Sequence, residues 1–503
     1  MEAAMNVTTY VKNGIVYANA SKSKRNGKTV GKEKQVSLGR VIDLKKNIFR
    51  NRKYGLYSYD PATEKITPIR EEKKEEKVKS FSCVDFGDSY FLSKLMEKLK
   101  IDSMIDSIKG IDHESLKALI LFYLECRSSN STAEEWFEGN FASSLYPDAK
   151  MSSQRISELL DSVGTEEVKS SFLNAYYSVS DFRKGTKVII DSTGIINNVH
   201  FLFTTVCNHG GKVSTCIRLI TVIREEDSKP VYFRMAPGST LDAATLKKIV
   251  IELGKYGIDI SYALVDAGYS TKENLKRLMT MKIGFITRLD AKLGLYKELK
   301  EKHLPTLRRK ENLIHYGERY FYVEEATDVR FENEKINAYV CLDRTTQSYE
   351  IIRMSEQKDA PEKEKAFEEM EEGGFFILVS KERIGKDDVL KRYYMRQRIE
   401  QSYDLTKNET NIFPLRNHSE STVNGHLLVS FICQIISQEI QNTFKEDHLS
   451  QEKILLALRN QKAEVYPAEI LPMETKKVAT LAYKKMKIDC PETLKIKDKT
   501  VCR

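Results

Sequence analysis

The sequence predicts an α/β protein with a mixed sheet, accompanied by helical regions and a β-rich insertion. From Thr186 onward, several short apolar runs resemble strands, and helix and strand patterns then alternate as far as residue 289. This order is typical of an α/β domain. Residues 86–178 instead carry apolar side chains at three- and four-residue spacing, which indicates helices. A chain of 503 residues has room for several such regions.

Residues 1–80 are predicted to form a small basic β-hairpin followed by a linker. Short β-like runs surround the polar stretch SKSKRNGKTVGKEK, and a mixed-charge run, EEKKEEKVK, follows. Residues 1–53 contain 13 Lys and Arg but only 3 Asp and Glu, whereas the whole chain has a net charge of +9. Such a basic block is typical of a nucleic-acid contact, and a solubilising tail is the alternative.

Five further regions are expected from the changes in pattern. Residues 81–180 are predicted to be helical and are a candidate DNA-binding module, although packing is favoured because no recognition helix is evident. The others are a first part of the α/β core at 181–289, a β-rich insertion at 290–372, a second part of the core at 373–445 with a helix at 385–408, and a helical C-terminal region at 446–503.

The cysteines and the apolar runs indicate where the protein resides. None of the eight cysteines forms a CxxC pair, so we expect reduced thiols and neither a zinc site nor a disulfide framework. The longest apolar stretch, around residues 426–436, is too short to span a bilayer, and the start lacks a signal sequence. The expected location is the cytoplasm, with no membrane partner.

Two aspartates are candidate site residues because of their position. Asp191 follows the apolar run KVII and precedes Ser-Thr-Gly, and Asp266 follows YALV and precedes Ala-Gly-Tyr. A carboxylate at the end of a buried strand is accessible to a ligand at the edge of the sheet. Taken alone, an aspartate at the end of a strand is more often a turn cap than a ligand.

A third carboxylate lies in the stretch KRYYMRQRIEQSYDLTKN, residues 391–408. On a regular helix Tyr393, Arg396, Glu400 and Lys407 fall within an arc of roughly 60°, so all four share one face. The alternative is the solvated face of an ordinary amphipathic helix. Three carboxylates without Cys or His suit Mg²⁺ or Mn²⁺, and such sites commonly serve phosphoryl transfer with two metal ions.

These residues resemble the DDE transposases of bacterial insertion sequences, in particular the group with a Tyr-Arg-Glu-Lys signature. The resemblance rests on DSTG at Asp191, DAGYS at Asp266 and the spacing Tyr393-x2-Arg396-x3-Glu400-x6-Lys407. The stretches MSSQRISELL, YFRMAPGSTLDAATL and LRNHSESTVNGHLLVSF are also similar, so that the resemblance covers roughly residues 150–440.

The resemblance implies an RNase H-like catalytic core in which Asp191, Asp266 and Glu400 are catalytic and hold Mg²⁺ or Mn²⁺. Tyr393, Arg396 and Lys407 would contact the phosphate backbone of DNA, which suits their chemistry. The implied activity is cleavage at the ends of an insertion sequence to free 3′-OH groups, and their joining to target DNA.

The implied partners are double-stranded DNA, both transposon ends and target, and a second copy of the chain in the DNA complex. The implied location is the cytoplasm of a bacterium or archaeon, at the nucleoid when DNA is bound. The alternatives are an RNase H-like metal-dependent nuclease that does not join DNA, and a non-catalytic DNA-binding derivative. A phosphohydrolase with Asp191 as nucleophile would leave the Tyr-Arg-Glu-Lys spacing unexplained.

Overall fold

The computed structural model describes most of the chain in two compact units, Met1–Phe81 and Ser82–Arg503. The described residues are 5–12, 15–26, 29–51, 53–69, 82–126, 128–182, 185–197, 203–209, 212–240, 242–346, 373–401, 403, 419–466 and 469–495.

The described part of the first unit is an antiparallel sheet of six strands that pair in chain order. The strands are β1 (Asn6–Lys12), β2 (Ile15–Asn26), β3 (Thr29–Asp43), β4 (Ile48–Asn51), β5 (Gly55–Tyr59) and β6 (Ile66–Pro68). The predicted small hairpin therefore covers only part of this six-stranded sheet. Leu38, Phe49 and Tyr57 on successive strands supply one buried face, and the Tyr57 hydroxyl donates to the Leu38 carbonyl at 2.7 Å.

The second unit begins with a short strand and a series of helices. These are β7 (Ser82–Asp85), α1 (Gly87–Lys98), α2 (Ile101–Asp106), α3 (His113–Glu125), α4 (Ala133–Glu138), α5 (Ala142–Leu145), α6 (Ser153–Val163) and α7 (Glu166–Val179). Asp112 caps α3 by accepting from the Ser115 backbone N–H. Trp136 packs partly buried against Phe122.

A mixed sheet forms the centre of the second unit. Its first strands and helices are β8 (Thr186–Ile196), β9 (Thr205–His209), β10 (Lys212–Arg224), β11 (Pro230–Pro237), α8 (Asp242–Lys255), β12 (Ile260–Val265), α9 (Lys272–Thr280) and β13 (Gly284–Arg288). Within the described residues the strand order is β11-β10-β8-β12-β13, with β8, β12 and β13 parallel and β9 on β10. The predicted α/β class with a mixed sheet is confirmed.

Strands of the predicted insertion extend the same sheet. The elements are α10 (Gly294–Leu307), β14 (Leu313–Tyr316), β15 (Arg319–Ala326), β16 (Arg330–Phe331), β17 (Glu334–Lys335), β18 (Asn337–Asp343) and, after it, β19 (Phe375–Ser380). The order continues β13-β19-β18-β15-β14. Every residue of β19 is buried, as expected of a central strand.

The C-terminal part contains α11 (Lys386–Tyr394), α12 (Glu420–Phe444), α13 (Gln451–Arg459), β20 (Lys462–Val465), β21 (Glu469–Pro472), α14 (Lys477–Met486) and β22 (Leu494–Lys495). Residues 446–503 were predicted to be helical, but β20–β22 form a sheet with β7 among the described residues. Pairing with β7, far away in the sequence, holds these short segments extended.

The long helix α12 is buried over most of its length and begins with a capping box of Ser419 and Thr422. It packs closely on α6, because Gly425 lies against the backbone of Leu160. In the described part of the chain no helix is long and apolar enough to cross a membrane.

The cysteines differ in part from expectation. Cys126, Cys341 and Cys433 are reduced thiols that are at least partly buried, and Cys83 and Cys490 are reduced thiols that are exposed. Cys216 is disulfide-bonded, so the expectation of uniformly reduced thiols was wrong. Cys216 lies buried on β10, whose pairing with β8 and β9 holds it inside the sheet.

Candidate active site at the edge of the mixed sheet

Asp191 and Asp266 lie side by side on neighbouring parallel strands. Val265 of β12 and Ile190 of β8 are partners in the register, and the two aspartates are the next residue of each chain segment. Alternate residues of a strand face the same side of a sheet. Ile189 lies in the same hydrophobic cluster as residues of α11, so Asp191 also faces the side that α11 covers.

The two aspartates differ in backbone context. Asp191 does not end β8 as predicted, because β10 continues to pair with β8 up to Ile196 and holds the Ser-Thr-Gly segment extended. It does mark the end of the pairing between β8 and β12. Asp266 leaves its strand and precedes a 3₁₀ turn at Ala267–Tyr269. Its carbonyl accepts from the Thr287 hydroxyl at 3.2 Å, which ties this turn to β13.

The predicted helix at 385–408 is interrupted at the middle of the signature. Helix α11 ends at Tyr394, Met395 and Arg396 form a turn, and helical structure resumes at residues 397–401. The N–H groups of Arg396, Arg398 and Ile399 bond three residues back instead of four. The prediction that one regular helix face carries the four signature residues was therefore wrong for its described part. Lys407 lies outside the described residues.

Arg396 contacts all three predicted catalytic carboxylates. Its Nη1 lies 3.1 Å from Asp266 Oδ2 and 3.7 Å from Asp191 Oδ2, and its Nη2 lies 3.4 Å from Glu400 Oε1. Burial alone would lower the pKa of Arg396, but the charges of Asp266, Tyr393, Asp191 and Glu400 outweigh it and raise the pKa. A permanent positive charge thus lies among the acids.

Tyr393 is buried beside the same carboxylates. Its hydroxyl lies 3.5 Å from Asp266 Oδ1, and its ring lies under the Arg396 guanidinium at 5.9 Å. Burial, with the charge of Asp266, raises the pKa of Tyr393. The side chain therefore remains a neutral hydroxyl that can donate to an anion.

The signature segment is anchored by a buried glutamate that sequence reasoning missed. Glu225, directly after β10, forms an ion pair with Arg392 at 3.0 Å, and its carbonyl accepts from Arg398. Arg392 also stacks on the ring of Tyr262 at 4.6 Å. The two arginines lie on either side of the turn, so both halves of the segment are fixed to the sheet. The sequence signal for Arg392 and Arg398 is limited to their position inside KRYYMRQRIEQ, and Glu225 has none.

Polar contacts from β8 and β10 also hold Asp191 in place. Its Oδ1 accepts from the Ser192 N–H at 2.8 Å, and Arg218 of β10 donates to the Ser192 hydroxyl at 2.9 Å. Asp191 is almost fully buried, whereas the side chains of Asp266 and Glu400 are 37% and 53% exposed. The site is therefore open towards solvent on the side of Asp266 and Glu400.

The donor set fits a divalent cation in its chemistry. Carboxylate oxygens without thiolate or imidazole are the ligands that Mg²⁺ and Mn²⁺ prefer. Among the described residues, however, no group of three or more Asp, Glu, His and Cys has the geometry to hold a metal ion. The acids converge on the guanidinium of Arg396, so a metal ion would replace that cation as their shared partner.

The fold and the site together define an α/β protein with an acidic site at the edge of a mixed sheet. The model of the family described as "Transposase DDE domain" matches residues 183–436, half of the chain, and this chain belongs to that family. DDE transposases are DNA-cleaving enzymes that use divalent metal ions.

A solved structure is also similar to the chain. It is the cryo-EM structure of the piggyBac transposase synaptic complex with hairpin DNA, at 13% identity, with 76% of this chain and 82% of that chain covered and a TM-score of 0.39. The search of curated proteins found no match.

Proposed function

We propose that the protein is an active DNA transposase of the Tyr-Arg-Glu-Lys group with an RNase H-like core. It would bind the ends of an insertion sequence as a homodimer, cleave phosphodiester bonds to free 3′-OH groups and join these to target DNA. We propose that it acts in the cytoplasm of a bacterium or archaeon, at the nucleoid. The alternatives are a nuclease that does not join DNA and a non-catalytic DNA-binding derivative.

One observation carries the proposal: three carboxylates from distant parts of the sequence surround a single guanidinium. Asp191 and Asp266 come from adjacent strands, and Glu400 comes from the signature segment. A surface ion pair needs only one acid, whereas three acids around one cation fit a site that binds a more highly charged ion. The family membership agrees with this interpretation.

The proposal gives a role to each predicted site residue. Asp191, Asp266 and Glu400 would hold Mg²⁺ or Mn²⁺, which when bound activates the attacking oxygen and stabilises the leaving oxygen. Arg396 can contact a DNA phosphate through two N–H groups, and Tyr393 can donate its hydroxyl to the same backbone. Lys407 would add a further charge for the phosphates.

The test uses a plasmid that carries the DNA flanking the reading frame. Glu400→Gln should lower Mg²⁺-dependent cleavage by roughly 100-fold or more, since losing a group that merely orients a metal ligand already costs about 10–100-fold. DNA binding should remain. Glu97→Gln is the control, because among the described residues the Glu97 side chain forms just a surface ion pair with Lys94.

The products distinguish the proposals. Cleavage with joining to a second DNA supports the transposase, and cleavage without joining supports the nuclease. Binding without cleavage by the wild type supports the non-catalytic derivative. Cleavage that is unchanged in Glu400→Gln would remove Glu400 from the site.

A further inference from the structure

The first unit contains a two-stranded ribbon that extends beyond its sheet. β1 pairs with β2 only from Ile15 to Ser21, and β4 pairs with β3 only from Arg40 to Asp43. In the described strands, residues 22–26 and 29–34 therefore pair only with each other. At about 3.4 Å per residue the ribbon is roughly 15 Å long.

The base of this ribbon is firmly held. Lys34 forms an ion pair with Glu64 at 2.5 Å, and Ala18, Ala20 and Leu38 nearby on β2 and β3 are completely buried. A register shift between Lys22 and Ser23 marks a β-bulge at the point where the ribbon begins. Bulges increase the local twist of a strand pair.

The composition of the ribbon is unsuited to a hydrophobic core. Its strands contain five basic residues and one acid, Glu33, while Val30 is the only large apolar residue. The basic residues are Lys22, Lys24, Arg25, Lys32 and Lys34. An isolated two-stranded ribbon is marginally stable in water and gains from a partner. The ribbon's net positive charge complements a polyanion.

We propose that the paired segments 22–26 and 29–34 form a DNA-binding ribbon that enters the major groove of a duplex and contacts its phosphates. The major groove of B-DNA, about 12 Å wide, admits a two-stranded β-ribbon. Lysine-rich contacts mainly neutralise phosphates, so the ribbon supplies affinity and register on the duplex more than base recognition. The inference rests on the proposed function in one respect, that the partner is double-stranded DNA.

The experiment uses the full chain and measures duplex affinity against KCl concentration by fluorescence anisotropy. The ribbon variant combines Lys22→Gln, Lys24→Gln, Arg25→Gln and Lys32→Gln. The control variant neutralises four exposed lysines of the other unit: Lys453→Gln, Lys476→Gln, Lys477→Gln and Lys484→Gln. A second variant replaces residues 23–33 with Asn-Gly, and circular dichroism checks that each variant is folded.

The ribbon variant should reduce the slope of log Kobs against log[KCl] by about 3 to 4, since each lost phosphate contact accounts for about 0.9. Its affinity should fall at least tenfold more than that of the control. Methylation of guanine N7 by dimethyl sulfate, which reports on the major groove, should show protection that both ribbon variants lose.

Three results would overturn the proposal: an unchanged salt slope, the same loss in the control variant, or an equal loss on single-stranded DNA of the same length. The cleavage test is independent of these measurements. Cleavage together with an unchanged salt slope would refute the DNA-binding role of the ribbon but not the transposase activity. A reduced salt slope without cleavage would refute the enzyme activity but not the DNA-binding role of the ribbon.

Discussion

Replacement of Arg396 by alanine should increase the affinity of the DNA-free protein for a divalent cation. Its guanidinium nitrogens lie 3.1–3.7 Å from oxygens of Asp191, Asp266 and Glu400, the proposed metal ligands. The positive charge therefore opposes any second cation at these oxygens. Arg396→Lys keeps the charge and should show a much smaller gain.

The size of the effect follows from the distances. Mg²⁺ binds oxygen at about 2.1 Å, so an ion on these carboxylates would lie roughly 4–5 Å from the guanidinium. A pair of unit charges at 4 Å contributes about 1 kcal/mol in bulk water, and a divalent ion doubles this to about 2 kcal/mol. The expected gain is roughly 30-fold in affinity. Because the Arg396 side chain is only 23% exposed, screening is incomplete and this value is a lower bound.

The assay is calorimetric titration with Mg²⁺, or Mn²⁺ titration followed by electron paramagnetic resonance, without DNA. Arg383→Ala is a matched control, because Arg383 contacts only Glu325 among the described ion pairs. Cleavage by Arg396→Ala should fall even though metal affinity rises, since the proposed contact between Arg396 and a DNA phosphate is lost. Unchanged or weaker metal binding by Arg396→Ala would refute the reasoning.

Three further predictions concern the support of the site and the stability of the second unit. Glu225→Gln removes the carboxylate charge that pairs with Arg392 and keeps the backbone carbonyl that accepts from Arg398; kcat for cleavage should fall roughly tenfold or more with little change in KM, and hydrogen exchange of residues 397–401 should rise. Burial, with the charge of Asp88, raises the pKa of Glu125 well above its usual value of 4.5, so this group should lower the stability of the wild type as pH rises above that value, and Glu125→Gln should flatten this decline in Tm. A Cβ at Gly425 would overlap the Leu160 carbonyl, so Gly425→Ala should cost about 1–3 kcal/mol in chemical denaturation, whereas Gly254→Ala, with open space around it, should be neutral or stabilising by about 0.5–1 kcal/mol.

The sequence predicted the parts of the fold that depend on local periodicity. The apolar runs before Asp191 and Asp266 form adjacent parallel strands, and the α/β class follows from their alternation with helices. β7 pairs with β20 and so joins residues near 85 and 462, and no local sequence pattern predicts a pairing over that distance. The Ser-Thr-Gly after Asp191 suggests a turn, but the neighbouring strand β10 keeps it extended.

The turn at Met395 and Arg396 could not be predicted from the sequence either, because neither Gly nor Pro marks it. A regular helix was the natural prediction for a stretch with good helix formers on both sides. Tertiary contacts stabilise the turn instead: Arg392 forms an ion pair with the Glu225 carboxylate, and Arg398 donates to the Glu225 carbonyl. Helix propensity is a weak prior that such contacts override.

This interruption determines how the three arginines of the segment are used. On an uninterrupted helix Arg392 and Arg396, four residues apart, would be neighbours on one face, and Arg398 would point away from both. In the structure Arg392 and Arg398 share Glu225, and Arg396 alone faces the acids. The turn therefore separates anchoring charges from the charge at the site. Because Arg396 lies between two anchored arginines, the proposed exchange of a carboxylate for a DNA phosphate at its side chain would leave the backbone that carries Glu400 in place.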